Sequence, residues 1–139
     1  MTRVDFYLLS NNDPNAVICR LIDKAYQRGH RVFVFADTIQ NAQRIDEALW
    51  TFRDDSFIPH LMQNEGPEPP PPVQLGCEEP SRHFSDILVN ISGKIPTWYK
   101  RFQRVLEIVP GEETAKVASR ERYREYRAAQ CELQTHSIE

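Results

Sequence analysis

Gly29-His30-Arg31-Val32-Phe33-Val34-Phe35-Ala36-Asp37, GHRVFVFAD, is the stretch that sets the fold class. Gly29 is a helix stop, and Arg31 to Ala36 then runs apolar at almost every position. A strand with one wet face alternates apolar and polar residues, whereas a strand covered on both faces reads as a continuous apolar run. RVFVFA therefore predicts a strand of a parallel sheet with helices on both sides. Upstream, Asp13 and Pro14 supply a capping side chain and a first-turn proline. Val17, Ile18, Leu21, Ile22 and Ala25 follow at helical spacing up to Gly29. Before that helix, Val4 to Leu9, VDFYLL, reads as a first strand and Ser10 to Asp13 as a loop. Downstream, Asp37-Thr38 caps a second helix over residues 39 to 52.

Asp46 to His60, DEALWTFRDDSFIPH, passes from a helical to an extended pattern. Ile45, Ala48, Leu49 and Phe52 share one face, Arg53 to Ser56 is a polar break, and Pro59 holds Ile58 extended. Trp50 and Phe52 stand roughly 200° apart on the helix, so one face does not bury both together with Phe57. Either a segment of chain or another protein covers the surplus ring, and pattern alone favours the plainer reading of ordinary core aromatics at a helix end. Glu65 to Pro72, EGPEPPPP, is excluded from helix and sheet interior and is expected to be an extended polyproline connection across one end of the molecule. Val73 to Leu75 and Asp86 to Ile91 follow as strands, Pro96 to Phe102 as a short helix, and Arg104 to Val109, RVLEIV, as a last strand before a turn at Pro110-Gly111. The sum is an α/β fold of three layers: a mostly parallel sheet flanked by helices, with right-handed crossovers. Residues 1–139 are expected to form a single domain, with 65–72 as its connecting loop.

No run of apolar residues is long enough to span a membrane, and MTRVDFYLL lacks the apolar stretch of a secretory leader. Cys19, Cys77 and Cys131 are scattered, which suits reduced thiols in the cytoplasm. A net charge of −3 argues against direct binding to a nucleic-acid backbone, which calls for a concentrated positive face.

An α/β sheet raises the possibility of nucleotide binding, but Ser10 to Asp13 contains no glycine. It puts an acid and a proline without an N–H where a diphosphate needs close backbone approach. The fold is thus Rossmann-like without the nucleotide-binding loop. Asp37 stands where such folds place a ribose-binding carboxylate, yet also where a helix cap belongs. The alternative function it leaves open is a nucleotide-binding enzyme using the carboxyl end of the sheet. His30, His60, His83 and His136 show no metal-ligand spacing, and Asp54-Asp55 and Glu78-Glu79 read as solvated turns. No cofactor, metal or catalytic residue is expected.

Glu112-Glu113-Thr114 opens the last helix with acids at its positive end. Lys116, Arg120, Arg124 and Arg127 then fall at roughly 0°, 40°, 80° and 20°, one cationic stripe. Ala115, Ala118, Tyr126 and Ala129, at roughly 200° to 280°, predict an inner face of mostly small residues. Arg122, at roughly 240°, lies within that face and is expected to pair with an acid or reach the core edge. The stripe is either a solvated face or an anion site; its arginine forks suit carboxylates, and a small positive patch in an acidic protein suits an acidic peptide.

VDFYLL, GHRVFVFAD, DEALWTFRDDSFIPH, the strand DILVNIS and Ser119 to Arg127, SRERYREYR, in this order resemble the chi subunit of bacterial DNA polymerase III holoenzyme. The resemblance runs from the first strand to about Thr135. It implies an accessory, non-catalytic part of the clamp-loader assembly in DNA replication and repair, bridging the psi subunit to the acidic C-terminal tail of single-stranded DNA-binding protein. By position, it implies a tail site at Lys116, Arg120 and Arg124 with Val109 and Thr135. It also implies a psi-binding surface at Trp50 and Phe57, shared with a helicase-like partner, while Phe52, in line with Ile45 and Leu49, is expected inside. Arg124 stands where the family has a lysine. Gln130 stands where it has a helix-closing glycine, which leaves room for the last helix to run further and shift Thr135.

Overall fold

Strands and helices alternate along the chain as β1 (Arg3–Leu9), α1 (Pro14–Gln27), β2 (Val32–Phe35), α2 (Ile39–Thr51), β3 (His60–Met62), β4 (Val73–Gly76), β5 (Ile87–Asn90), β6 (Arg104–Val109), α3 (Glu113–Ala128) and β7 (Glu132–Ile138). The computed structural model describes residues 2–52, 57–66 and 68–138. The polar break Arg53–Ser56, with its Asp54-Asp55 pair, and Pro67 of the proline-rich stretch lie outside the described residues. Among the described residues the strands form one sheet in the order β3-β4-β2-β5-β6-β1-β7. Every pairing in it is parallel.

β2 behaves as its composition demands. Val32 and Val34 face one side, where Val17, Ile18 and Ile22 of α1 and Ile45 and Leu49 of α2 complete a core. Phe33 faces the other, packed with Phe84, Tyr99, Phe102 and Tyr126. Three layers follow from one strand that is apolar on both faces. α1 starts on the Asp13 side chain, which accepts from the Asn15 N–H at 3.1 Å, with Pro14 in its first turn. The cap of α2 is Thr38, whose hydroxyl accepts from the Asn41 N–H at 3.1 Å.

Four elements differ from the sequence reading. RVLEIV is not the last strand, because β7 adds to the far side of β1 in register from Arg3↔Glu132 to Leu9↔Ile138. β3, only three residues long, closes the opposite edge. The helix expected over 96–102 is a single 3₁₀ turn at Tyr99–Arg101. The proline stretch is not a free spacer at its end: Pro70 is buried, and the Pro72 carbonyl accepts from the Val32 N–H at 2.8 Å.

α3 does not run on. Gln130 adopts φ 64°, and its N–H and that of Cys131 donate back to Arg127 and Tyr126 at 2.9 and 3.1 Å, so a non-glycine residue performs the left-handed helix stop. An L side chain in that region costs about 1 kcal/mol relative to an unstrained backbone. Gln130→Gly is therefore expected to raise stability by up to about 1 kcal/mol, read as a higher urea midpoint with unchanged slope.

Candidate functional site

α3 is held to the sheet by a polar anchor. Glu107, in the middle of β6, is 0% exposed. It accepts from Arg122 Nε at 3.1 Å, Tyr126 Oη at 2.6 Å and Asn90 Nδ2 at 2.8 Å. Burial pushes the Glu107 carboxyl above its ordinary value, and the Arg122 charge and these hydrogen bonds offset that only in part. All three partners are donors, the set an ionised carboxylate requires. Arg122 thus pairs with an acid, as the helical wheel indicated. Tyr126 and Arg122 are buried on the inner face as expected, but Ser119 joins them, whereas Ala118 and Ala129 are exposed. The anchor sets α3 so that Ser119 and Tyr123, rather than the alanines, face the end of β1.

That setting opens a notch of about 200 Å³. Phe6, Leu8 and Leu9 of β1 and Val109 of β6 give it apolar walls, and Ser119 and Tyr123 of α3 complete them. Tyr123 is fixed by the Phe6 ring, with centroids 5.5 Å apart. Lys116, Arg120 and Thr135 stand on the rim, each exposed. Of the residues assigned to the tail site, Lys116, Arg120, Val109 and Thr135 therefore line one cavity. Arg124 does not line it; its guanidinium pairs with Glu121 on the outer face of α3. Thr135 is placed by the register of β7, where it lies opposite Phe6. Phe6, Leu8, Leu9, Ser119 and Tyr123 were not singled out from sequence. The period of two in VDFYLL and the position of Tyr123 beside Lys116 on the helical wheel carried that signal.

At the other edge of the sheet, Trp50 lies in the last turn of α2 and Phe57 precedes β3, 57% and 64% exposed with centroids 5.8 Å apart. Beneath them lies buried His60, its ring centroid 4.5 Å from that of Trp50. His60 Nδ1 lies 2.6 Å from the Ile58 carbonyl, to which it donates, and Nε2 faces the Asp46 carboxylate at 3.4 Å. Burial raises the Asp46 carboxyl above its ordinary value, opposed by His60. Phe52 packs against the core. The two ring faces left to solvent are thus supported from below by a fixed imidazole.

A larger cavity of about 460 Å³ opens at the carboxyl end of the sheet. Asp13, Pro14 and Glu112 line it together with Arg44 and Arg122, so its charges are mixed and Arg122 is committed to Glu107. Asp37 is not among its lining residues and accepts instead from Asn41 Nδ2 at 2.6 Å. Cys19, Cys77 and Cys131 are free thiols, and burial pushes that of Cys19 up to about 11. No described helix is long and apolar enough to cross a membrane.

These features define a three-layer parallel α/β protein with an apolar, cation-rimmed notch at one edge of its sheet and an exposed aromatic pair at the other. Residues 1–134 match the family described as DNA polymerase III chi subunit, HolC. The chain is 39% identical over 142 residues to the DNA polymerase III subunit chi of Pseudomonas aeruginosa, covering 99% of this chain and 98% of that one. It is 32% identical over 143 residues to its counterpart in Escherichia coli, covering 97% of each chain. The chain belongs to the DNA polymerase III chi subunit family.

Removing Arg122 leaves the Glu107 carboxylate buried without its countercharge. Arg122→Ala is expected to cost about 3–5 kcal/mol of unfolding free energy, measured by urea denaturation, whereas Arg124→Ala on the exposed face changes it by less than about 1 kcal/mol.

Proposed function

We propose that this protein is an accessory subunit of DNA polymerase III that acts in DNA replication without catalysis of its own. In this reading residues 1–139 work as one α/β unit beside the clamp loader, in the cytoplasm. It joins a psi subunit at Trp50 and Phe57 to the acidic C-terminal tail of single-stranded DNA-binding protein at the α3 notch. A helicase-like repair protein would compete for the Trp50–Phe57 surface. DNA is reached through these proteins and not by direct contact, and no cofactor takes part.

The notch carries the reading. At about 200 Å³ it is smaller than the roughly 300–1,000 Å³ typical of small-molecule sites, and it suits one apolar side chain. An acidic peptide ending in phenylalanine presents that side chain and a terminal carboxylate together. The ring would enter between Phe6, Val109 and Tyr123, and the carboxylate would meet the Arg120 fork with Lys116 beside it. Thr135 would offer a hydroxyl at the rim. Arg124, outside the lining, would act on the upstream acids as a distant, screened charge. The second surface is independent by topology. β3 and β7 are the two ends of a seven-strand order, which separates them by about 29 Å at roughly 4.8 Å per strand.

Two measurements test these assignments. Arg120→Ala should weaken a fluorescent acidic peptide ending in phenylalanine by about tenfold or more, the scale of one charge-assisted hydrogen bond. Unchanged affinity would remove the tail site from α3. Trp50→Ala combined with Phe57→Ala should abolish co-purification with psi and leave the peptide affinity unaltered. Loss of both activities together would mean that these rings support the fold.

A further inference from the structure

A third cavity, of about 260 Å³, lies on the α1 face of the sheet, between the second half of α1 and the first residues of β5 and β6. Its walls include Lys24 of α1, Arg28 and His30 of the following turn, Arg104 of β6 and His136 of β7, and no acid. The other large cavities contrast with it: that at the carboxyl end of the sheet includes Asp13 and Glu112, and one near β3 includes Glu65 and Glu78. In a chain of net charge −3, this convergence of cationic and imidazole side chains from separate elements asks for a ligand.

The cationic wall is held in place from behind. Asp5 is fully buried in β1 and accepts from Arg104 Nε at 2.7 Å, His136 Nε2 at 2.9 Å and Arg3 Nε at 3.1 Å. A second Arg104 donor, on Nη2, goes to the Tyr7 hydroxyl at 3.0 Å, and the Tyr7 ring stacks on His136 with centroids 4.7 Å apart. Burial pushes the Asp5 carboxyl up, but hydrogen bonds from His136, Arg104 and Arg3 outweigh it and hold it below its ordinary value. Asp5 is thus an ionised post that fixes Arg104 and His136 while staying out of the cavity. Arg104 keeps its remaining N–H groups free of these contacts, with its side chain 30% exposed. Lys24 and Arg28 are exposed and form no ion pair among the described residues. The nearby C-terminal carbonyls of α1 are already taken up by the N–H groups of Arg28, Gly29 and His30.

We infer that this cavity binds a phosphate group. A carboxylate is planar and is satisfied by one guanidinium fork. Cations that approach from α1, the α1–β2 turn and β6 match instead a tetrahedral anion with acceptors on several sides and a charge near −2 at neutral pH. The site lies on the face opposite the α3 notch and shares no residue with it. The source is either free inorganic phosphate or the phosphate of a nucleotide.

Calorimetric titration of the full chain at low salt with inorganic phosphate and, separately, with thymidine 5′-monophosphate tests this. Saturable one-site binding of either is expected. Equal affinities identify the phosphate alone as the recognised group, and tighter binding of the nucleotide identifies a phosphomonoester with its nucleoside. The double variant Lys24→Ala with Arg28→Ala changes only two exposed side chains, one in the last turn of α1 and one just after it, so it should fold normally. It should lose affinity about tenfold or more while binding the acidic peptide at the α3 notch as before. No saturable binding, unchanged affinity in the double variant, or acetate competing as well as phosphate would each overturn the assignment.

Discussion

A single carboxylate in the middle of an apolar strand governs how this molecule is put together. Glu107 interrupts RVLEIV, and its hydrogen bonds to Asn90, Arg122 and Tyr126 link β5, β6 and α3. Apart from Tyr126, whose ring packs beside Phe6 and Tyr99, the described buried residues of α3 are polar, Ser119 and Arg122. A helix with so narrow an apolar face gains modestly from hydrophobic burial, and it could pack at several rotations of similar energy. The buried ion pair selects one. A pair of this kind contributes little net stability against an apolar replacement, but it is very unfavourable to break on one side. Its consequence is geometric: Lys116 and Arg120 come to rest above Val109, and Tyr123 comes to rest against Phe6.

The same logic separates what the sequence discloses from what it conceals. RVFVFA, Asp13-Pro14 and the spacing of Val17, Ile18 and Ile22 announce a doubly covered parallel sheet because local pattern and tertiary burial agree there. β7 is concealed because ELQTHSI is an edge strand with mixed polarity, and β3 because three residues make no period. What orders β7 is mostly distant, the ladder to β1 and the Asp5–His136 contact, with the turn at Gln130 aiming the chain at that edge. Gln130 is the sharper lesson, since geometry imposed by the following strand overrode a residue that does not favour it. The basic half of the notch was readable from the helical wheel through Lys116 and Arg120. Of its apolar half only Val109 was named, through the family resemblance; the patterns that Phe6, Leu8 and Tyr123 carry do not show that these residues meet, which happens only once β1, β6 and α3 have docked. Glu107 itself was invisible: nothing local distinguishes a buried acid in a strand from an exposed one.

An all-parallel sheet of this order leaves two edges with different characters. The β7 edge adjoins a notch that combines apolar walls with fixed cations. The β3 edge is short, as edges that avoid nonspecific pairing tend to be, and is flanked by the Trp50–Phe57 pair over His60. Surfaces of such different chemistry lie on opposite margins of one sheet, which is what the proposed bridging of two partners would call for.

The claim that cations and an apolar notch act together on one acidic, phenylalanine-terminated peptide is tested most directly by titrating that peptide across a salt series. The account predicts one site whose affinity falls steadily as salt rises and levels off at a residual set by the buried ring, with a peptide lacking the terminal phenylalanine retaining only the salt-sensitive part. An affinity independent of salt, or one indifferent to the terminal residue, would contradict it.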